Sequence, residues 1–306
     1  MRGLLRRLLY APLVLLVLVT ATFLLMRLAP GGPFGGEREL PPEVEQALRA
    51  RYGLDQPLHV QYVRMLGGLL RGDFGPSMKH RERDVAEIIR QHLPPSLMLG
   101  LLSIALALVA GVAAGVVSAL RPGTAGDYLA MGAAVLGISL PAFVVGPLLQ
   151  LVFAMQLGWL PVAGHGSPQQ LVLPALTLAL PFAARFARLA RAGLLDVLGE
   201  DYIRTARAKG LRESTVVLRH ALRGALLPVL SFLGPAVSAV TTGSLVVERV
   251  FNIPGLGREF VESALNRDYT LVMGTTIVYG VFIVACNALT DVVQVALDPR
   301  LREGRR

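Results

Sequence analysis

The sequence contains few of the residues and motifs on which soluble enzymes depend. Its 306 residues include one cysteine, Cys286, which excludes a disulfide framework and any multi-cysteine zinc or iron-sulfur site within the chain. Charged residues make up 17%, against about 25% in an ordinary soluble domain. With 53% hydrophobic residues and a mean hydropathy of +0.56, the chain has more apolar surface than one soluble core can bury. It therefore needs lipid as a second apolar solvent.

Three catalytic motifs are also missing. The sequence has no Gly-Lys pair, so it lacks the glycine-rich phosphate cradle ending in Gly-Lys-Ser/Thr with which an ATPase holds its nucleotide. None of the five histidines stands in an H-E-x-x-H zinc motif, and no G-x-S-x-G serine elbow occurs. We therefore expect no catalytic residue, no metal site, no cofactor and no enzyme activity. Any ATP hydrolysis would have to be done by another chain.

Long apolar runs are present instead. A helix needs about 20 apolar residues to cross a hydrocarbon core of about 30 Å. Five runs meet this length, and a sixth, 171–184, is short, contains Pro174 and Pro181, and has to extend through Arg185 and Arg188. We therefore predict an all-α integral membrane protein with six transmembrane helices. The five clear runs are 8–26, 96–120, 129–155, 225–247 and 270–290.

The basic residues predict the orientation of these six spans. Seventeen Lys and Arg residues fall on one side, nine of them between spans 4 and 5, whereas the shorter facing connections carry three. Cytoplasmic loops are enriched in Lys and Arg, so both termini are expected in the cytoplasm of a bacterial or archaeal cell. The net charge of +9 is thus explained by orientation and anionic lipid, and we expect no nucleic-acid partner.

The expected organisation has four parts. An N-terminal anchor helix, 1–30, is followed by an external loop, 31–95, a five-helix core, 96–298, and a cytoplasmic tail, 299–306. The external loop is expected to be structured, because it contains the start and stop signals of a short helix at PPEVEQALRARYG. Apolar residues also recur at helical spacing over 85–93. This second helix either lies on the membrane surface or packs on the loop itself.

Small and helix-breaking residues within the spans predict how these helices pack. Ala107, Gly111 and Gly115 place a small-residue face on span 2, which permits close helix approach. Prolines and glycines interrupt spans 3 and 5. Since breaks exposed to lipid are disfavoured, these two helices are expected to line a cavity or to pack against other helices.

The cytoplasmic connection over 191–224 is the most informative segment. The pattern predicts a helix over 194–209, a stop at Gly210 and a second helix after Ser214. Two interpretations of this basic segment remain open: a loop held on anionic lipid, or a rigid element that docks on a soluble partner.

Two further groups are candidates for function. Before span 6, the turn around FNIPGLG presents either an external gate or receptor-docking surface, or a solvated cap held by weak ion pairs. Asp291, after span 6, is either a structural cap or ion pair with Arg300 and Arg302, or part of a transport pathway. The candidate gate or docking residues are Arg249, Phe251, Pro254, Gly255, Gly257 and Asp268.

The stretch GEDYIRTARAKGLRESTVVLRHALRGALLP resembles the EAA loop of the membrane subunits of binding-protein-dependent ABC importers, in the dipeptide, oligopeptide and nickel permease branch. Arg204, Thr205 and Ala206 fill the small-residue triplet of that pattern and Gly210 its glycine, although the acidic first residue is missing. The resemblance covers nearly the whole chain. Further matching segments are RYGLDQPLHVQYVRMLGGLLRGDFGPS, VVERVFNIPGLGREFVESALNRDYTLVMG and ALDPRLR.

This resemblance implies a function and partners. It implies a permease subunit that forms half of a translocation pathway for di- or oligopeptides and works by alternating access. Its partners would be a second, homologous permease, two ATPase subunits, an external solute-binding protein and membrane lipid. Nickel or oligosaccharide import by the same branch, or a scaffold or sensor without transport, are the alternatives. The residues implied to couple to the ATPase are Arg204, Thr205, Ala206, Lys209, Gly210 and Leu211.

Overall fold

A computed structural model describes residues 2–28, 32–34, 41–80 and 83–297. Within these ranges the chain is helical and contains no β-strand. The predicted tail, 299–306, and its Arg300 and Arg302 lie outside the described residues. The α-helices are α1 Arg2–Leu28, α2 Pro42–Arg51, α3 Leu58–Leu69, α4 Val85–Leu120, α5 Ala125–Ser139, α6 Ala142–Leu149, α7 Pro168–Leu198, α8 Asp201–Ala208, α9 Glu213–Thr215, α10 Leu222–Ala225, α11 Leu227–Gly243, α12 Leu245–Val250, α13 Leu256–Leu265 and α14 Tyr269–Leu297. Two π-helical segments, Gln150–Gln156 and Val216–Ala221, follow α6 and α9.

The described helices confirm a chain with several membrane-spanning segments. Five are long and apolar enough to cross a bilayer, and a bent helix pair brings the number up to six. The short sixth run is part of a 31-residue helix, α7, which contains both Pro174 and Pro181 and continues through Arg185 and Arg188 as expected. A capping box at Ser167, with Gln170 as its partner, fixes where this helix begins.

The predicted third span is broken. Helices α5 and α6 are bent by 108° at the residues between them. Leu140 has extended backbone angles there, φ −83° and ψ 122°, because the residue before a proline is sterically excluded from the helical region. Pro141 is the N-cap of α6, with a φ of −65° and an extended ψ of 142°, so its missing N–H interrupts the helix between α5 and α6.

Two helix boundaries differ from the sequence prediction. The amphipathic segment at 85–93 and span 2 form one continuous helix, α4, with Pro94 and Pro95 inside it. The predicted helix over 194–209 is divided at Gly199, since α7 ends at Leu198 and α8 begins at Asp201. The short helix predicted from PPEVEQALRARYG is confirmed as α2, and Gly53 after it has a positive φ of 64°.

The described contacts divide the chain into two compact units. The first consists of residues 1–96 and 254–284. Its core is formed by Val85, Ile88 and Ile89 of α4 with Leu256 and Leu271. The apolar face of 85–93 therefore packs on protein and is not available to the membrane surface. Its partners are mainly α13 and α14, and the external loop, on which packing was the other expectation, contributes Phe74.

The second unit consists of residues 97–253 and 285–306. Its core is built around α7, which packs against α4, α5, α6 and α11. Phe186 of α7 meets Phe232 of α11 edge to face, with ring centroids 5.7 Å apart. The predicted small-residue face of α4 is confirmed here. A Cβ on Gly111 would approach Phe186 Cβ to 2.8 Å, and one on Gly115 would come 3.0 Å from the backbone nitrogen of Arg191.

We expect Gly115→Ala to destabilise the protein by about 1–3 kcal/mol, because the obstacles to the new methyl group belong to the α7 backbone and can move only if the helices separate. Thermal unfolding in detergent measures this effect. Gly132→Ala is the matched control, since a Cβ there has no neighbour within 4 Å. Equal unfolding temperatures for the two variants would contradict the close α4–α7 contact.

Candidate functional site

The segment from α8 to α10 forms a short helical element beside the end of α7. Gly210 ends α8 with a positive φ of 77°, a conformation that favours glycine. Nothing in the described structure lies within 4 Å of a Cβ built on Gly210. The predicted glycine stop is therefore confirmed, and it projects from the protein at the tip of the element.

One face of this element is buried against the rest of the second unit. Ile203 and Ala206 of α8, together with Val216 and Ala221 of the π-helical segment, pack against Leu194 of α7. Ala119 at the end of α4 belongs to the same cluster. The element is thus fixed on α4 and α7 by an apolar base.

The residues predicted to couple to an ATPase divide between the two faces. Ala206 is only 5% exposed, so it belongs to the base rather than to the outer surface. The other five are exposed: Arg204, Thr205, Lys209, Gly210 and Leu211. The outer face of the turn is therefore formed by these five residues.

An ion pair connects the residues before and after Gly210. Arg207 Nη2 lies 2.7 Å from Glu213 Oε1, and its Nε donates to Glu213 Oε2 at 3.1 Å. These hydrogen bonds lower the pKa of Glu213 and raise that of Arg207. Because the carboxylate pKa is lowered on folding, the pair stabilises the turn fully at neutral pH and is lost only as the pH falls through the lowered value.

We expect Glu213→Gln to speed hydrogen exchange of the 207–213 backbone amides at neutral pH by less than about fivefold, because both partners are exposed to solvent. Exchange mass spectrometry measures the effect, and Glu200→Gln, an exposed change before α8, serves as the control. An acceleration much beyond this range would show that the ion pair, rather than the apolar base, holds the turn.

A buried charged cluster lies close to this element and was missed in the sequence. Asp127 of α5 is 4% exposed and is bound in bidentate fashion by Arg191 of α7, with both N···O distances 2.8 Å. Ser118 of α4 also donates to Asp127, as does the backbone of Gly123 at 3.0 Å. The cluster therefore ties α4, α5 and α7 together at one end of the second unit.

The sequence contained a partial signal for this cluster. Thr124 is a typical N-cap, and its hydroxyl accepts from the backbone of Asp127, which marks the start of α5. Asp127 lies two residues before the predicted third span, 129–155, and in the first turn of α5, where an acidic side chain is favoured. Arg191 could not be assigned as that partner, because it lies 64 residues away in the chain.

The residues predicted to form a gate or docking surface are mostly buried. In the second unit, Phe251 is fully buried and its backbone oxygen accepts from Gly164 at 2.9 Å. Glu248, also fully buried, accepts from the hydroxyl of Ser244 at 2.6 Å. Arg249 is exposed, so it remains the member of the predicted set in this unit that can meet a partner.

In the first unit, Asp268 has a structural role. It is 1% exposed and caps α14 by accepting from the backbone of Leu271 at 3.1 Å. It also accepts from the hydroxyl of Ser77 and from the backbone of Met78 at 3.1 Å. Asp268 thus fixes the loop at 76–80 to the start of α14 and presents no carboxylate for docking. Gly255 and Gly257 are also buried, and Pro254 is half-buried.

A second acidic residue of the first unit lies between two histidines. Glu259 of α13, with 12% of its side chain exposed, has Nε2 of His92 3.4 Å from Oε1 and Nε2 of His80 3.9 Å from Oε2. The sequence indicated Glu259 as part of the segment before span 6 but gave no reason to pair it with either histidine. These contacts join α13 to the loop and to the start of α4.

The candidate pathway residue, Asp291, lies in α14 and is half-buried. Thr290, directly before Asp291, and Cys286, one turn before Thr290, lie against Gly234 of α11, where a Cβ would come 3.2 Å from the carbonyl oxygen of Cys286. This part of α14 therefore packs closely on α11. The described residues contain no group of three or more His, Cys, Asp or Glu side chains that could hold a metal ion.

Comparison with known proteins gives matches over nearly the whole chain. Residues 111–303 match the family described as the binding-protein-dependent transport system inner membrane component, and residues 1–82 match its N-terminal family. The oligopeptide transport system permease protein OppB of Haemophilus influenzae is 45% identical over 97% of this chain and 98% of its own length. The dipeptide transport system permease protein DppB of Bacillus subtilis is 44% identical over 94% of each chain.

Solved structures support the same fold at lower identity. An inward-facing MetNI methionine ABC transporter chain, 17% identical, superposes with a TM-score of 0.56 and covers 69% of this chain and 96% of its own. A chain of an amino acid ABC transporter with histidines, 18% identical, gives a TM-score of 0.53. At this identity the likeness concerns the fold alone.

The helices and the element around Gly210 define a multi-pass helical membrane protein with a compact projecting element next to a long central helix. The chain belongs to the family of binding-protein-dependent transport system inner membrane components. It is a multi-pass protein of the bacterial inner membrane and a membrane component of an ABC importer.

Proposed function

We propose that this chain is the permease subunit of an ATP-driven importer of di- or oligopeptides and forms half of the translocation pathway. The observation that carries the proposal is the 45% identity to an oligopeptide permease over nearly the full length of both chains. A match of this extent includes both the projecting element and the segments of the first unit. The proposal therefore covers the whole chain.

The element around Gly210 is proposed to contact the ATPase. It has the two properties that such a contact requires: an exposed tip and a rigid base. The tip consists of the five exposed residues and the base of the cluster around Ile203. Because packed interfaces change between discrete arrangements rather than deforming continuously, a push on the tip would be transmitted to α4 and α7 as a rigid-body movement.

The Asp127 cluster extends this transmission to α5. Arg191 lies in the part of α7 that leads to the projecting element. Its guanidinium group binds both carboxylate oxygens of Asp127 and so holds the start of α5. Movement of the end of α7 would therefore carry α4 and α5 with it. This is the mechanical step that we propose for alternating access, in which ATP-driven closure of the partner subunits moves the membrane helices.

The remaining subunits follow from this role. We propose a second, homologous permease, two ATPase subunits and an external solute-binding protein, with both termini of this chain in the cytoplasm. ATP hydrolysis would take place on the ATPase subunits, and this chain would contribute neither a nucleotide site nor a cofactor.

Uptake by the reconstituted transporter tests the proposal. Proteoliposomes containing this chain, its companion permease and the ATPases would be supplied with the binding protein and with labelled dipeptides, a pentapeptide, Ni²⁺ or a maltooligosaccharide. We expect ATP-dependent uptake of peptide only. Uptake of Ni²⁺ or of the sugar instead would replace the substrate assignment, and assembly without any uptake would support a scaffold or sensor.

A further inference from the structure

The first unit contains a pocket to which the proposed transport function assigns no role. The pocket has a volume of about 310 Å³ and lies between the end of α1, the α2–α3 segment and the start of α14. Among the described residues, three arginines line it, Arg27, Arg51 and Arg64, together with one carboxylate, that of Asp73. Its lining is otherwise largely apolar and aromatic, so the pocket combines positive charge with an apolar surface.

Two of the three guanidinium groups, those of Arg27 and Arg51, lie over aromatic rings. Arg27 lies 5.4 Å from the ring centroid of Phe23 and 5.2 Å from that of Tyr269. Among the described residues, none of the three arginines forms an ion pair within 4.0 Å. Asp73 instead accepts from the backbone of Gly75 at 2.9 Å. The pocket therefore has positive charge available for an anion.

A buried acceptor lies in the same lining. The Gln61 side chain donates through Nε2 to the backbone oxygens of Gln56 at 2.6 Å and Leu54 at 3.3 Å, which fixes the orientation of its amide. Its Oε1 is buried and has no donor among the described residues. A buried acceptor without a donor is costly, and the two donations from Nε2 are what hold this side chain in the pocket wall.

A second, apolar groove adjoins the pocket at Phe23. It has a volume of about 210 Å³ and runs along α1 between Leu24 and Leu58. The two hydroxyl groups in its wall, of Thr20 and Tyr62, bond to each other at 2.6 Å, and the exposed imidazole of His59 is the other polar group of the wall. A groove of this kind suits a hydrocarbon chain.

The position of both features relative to the bilayer points to the ligand. Arg27 is the penultimate residue of the candidate span Leu9–Leu28, where a basic side chain reaches the headgroup level. Leu24, Leu25 and Leu28 are exposed along the same end of α1. The pocket is thus at headgroup depth, and the groove continues toward the hydrocarbon.

We propose that this pocket binds the headgroup of an anionic glycerophospholipid such as phosphatidylglycerol, with one acyl chain in the groove beside α1. The phosphate is placed among Arg27, Arg51 and Arg64. A free phosphate ion would satisfy the arginines but would leave the apolar groove unused. The inference requires a membrane-embedded chain and does not depend on what the transporter carries.

Native mass spectrometry of the delipidated full-length chain tests the proposal. The protein in detergent is titrated with phosphatidylglycerol, with phosphatidylcholine of the same acyl chains, or with inorganic phosphate. We expect one phosphatidylglycerol per chain to bind more tightly than phosphatidylcholine. Arg51→Gln and Arg64→Gln should each weaken this binding about fivefold, the change expected for loss of one basic residue near an anionic lipid.

Arg71→Gln is the matched control, because Arg71 is an exposed arginine of the same segment that does not line the pocket. Arg51 and Arg64 are themselves exposed, so their substitution leaves the core intact, and unfolding temperatures check this. Equal binding of the two lipids, equal weakening by Arg71→Gln, or tight binding of inorganic phosphate with no preference for the lipid would each overturn the proposal.

Discussion

Asp127→Ala is expected to lower the Tm of the protein by about 3–12 °C and to abolish its ATP-driven uptake. The substitution removes a carboxylate that is 4% exposed together with its charged hydrogen bonds, while Arg191, whose side chain is 28% exposed, loses its partner but keeps some access to solvent. The same change releases α5 from α7. Thermal unfolding in detergent and peptide uptake in proteoliposomes measure the two effects separately.

Matched variants separate the cluster from a general effect of charge. Asp201→Ala removes an aspartate that also pairs with an arginine, at 3.3 Å, but whose side chain is 94% exposed, so its Tm should change little. The double variant Asp127→Ala, Arg191→Ala should be more stable than Asp127→Ala alone, because no unpaired guanidinium remains. Additive losses in the double variant would show that the two side chains do not depend on each other.

Gly210→Val is expected to reduce the ATPase activity stimulated by the binding protein roughly fivefold or more while the chain still folds. A β-branched residue at a φ of 77° costs about 1–3 kcal/mol in backbone strain. Since a Cβ at Gly210 has no neighbour within 4 Å, the new side chain projects outward into the proposed ATPase contact. Stimulated ATPase rate and uptake in the reconstituted transporter are the measurements.

Two further variants distinguish strain from loss of contact. Gly210→Asn keeps the left-handed backbone at low cost, so any loss of coupling in this variant comes from the added side chain at the interface. Gly199→Ala changes the glycine between α7 and α8, which has an ordinary φ of −81°, and should leave coupling unchanged. Wild-type stimulation in Gly210→Val would rule out the turn as the contact with the ATPase.

Much of the helical architecture was predictable from the sequence because the constraint is local. Hydrocarbon demands about 20 apolar residues in a row, and the runs that became α1, α4, α11 and α14 satisfy it. Helix continuity was less predictable, since Pro94 and Pro95 lie inside α4 and Pro174 and Pro181 inside α7. Prolines are tolerated inside membrane helices because neighbouring groups can satisfy the backbone carbonyls that they leave without a donor.

The candidate site was predictable in outline, and its details depend on burial. Glycine at position 210 signals its own conformation, because few other residues adopt a positive φ. The burial of Ala206, Phe251 and Asp268 had no such signal, since it is set by residues that are remote in the chain. Asp268, for example, takes a donor from Ser77, which is 191 residues away. The pairing of Asp127 with Arg191 was hidden for the same reason.

The bend between α5 and α6 leaves a backbone carbonyl group without its helical hydrogen bond. Pro141 has no N–H, so the carbonyl group of Gly137 lacks its usual helical donor, and the chain turns by 108° at this point. Hydrocarbon cannot solvate such a group, so the bend has to face protein or water. Gly137 is buried against Leu180 and Ala184 of α7, so at this break the third span meets protein and the carbonyl group is kept away from lipid by the chain's own central helix.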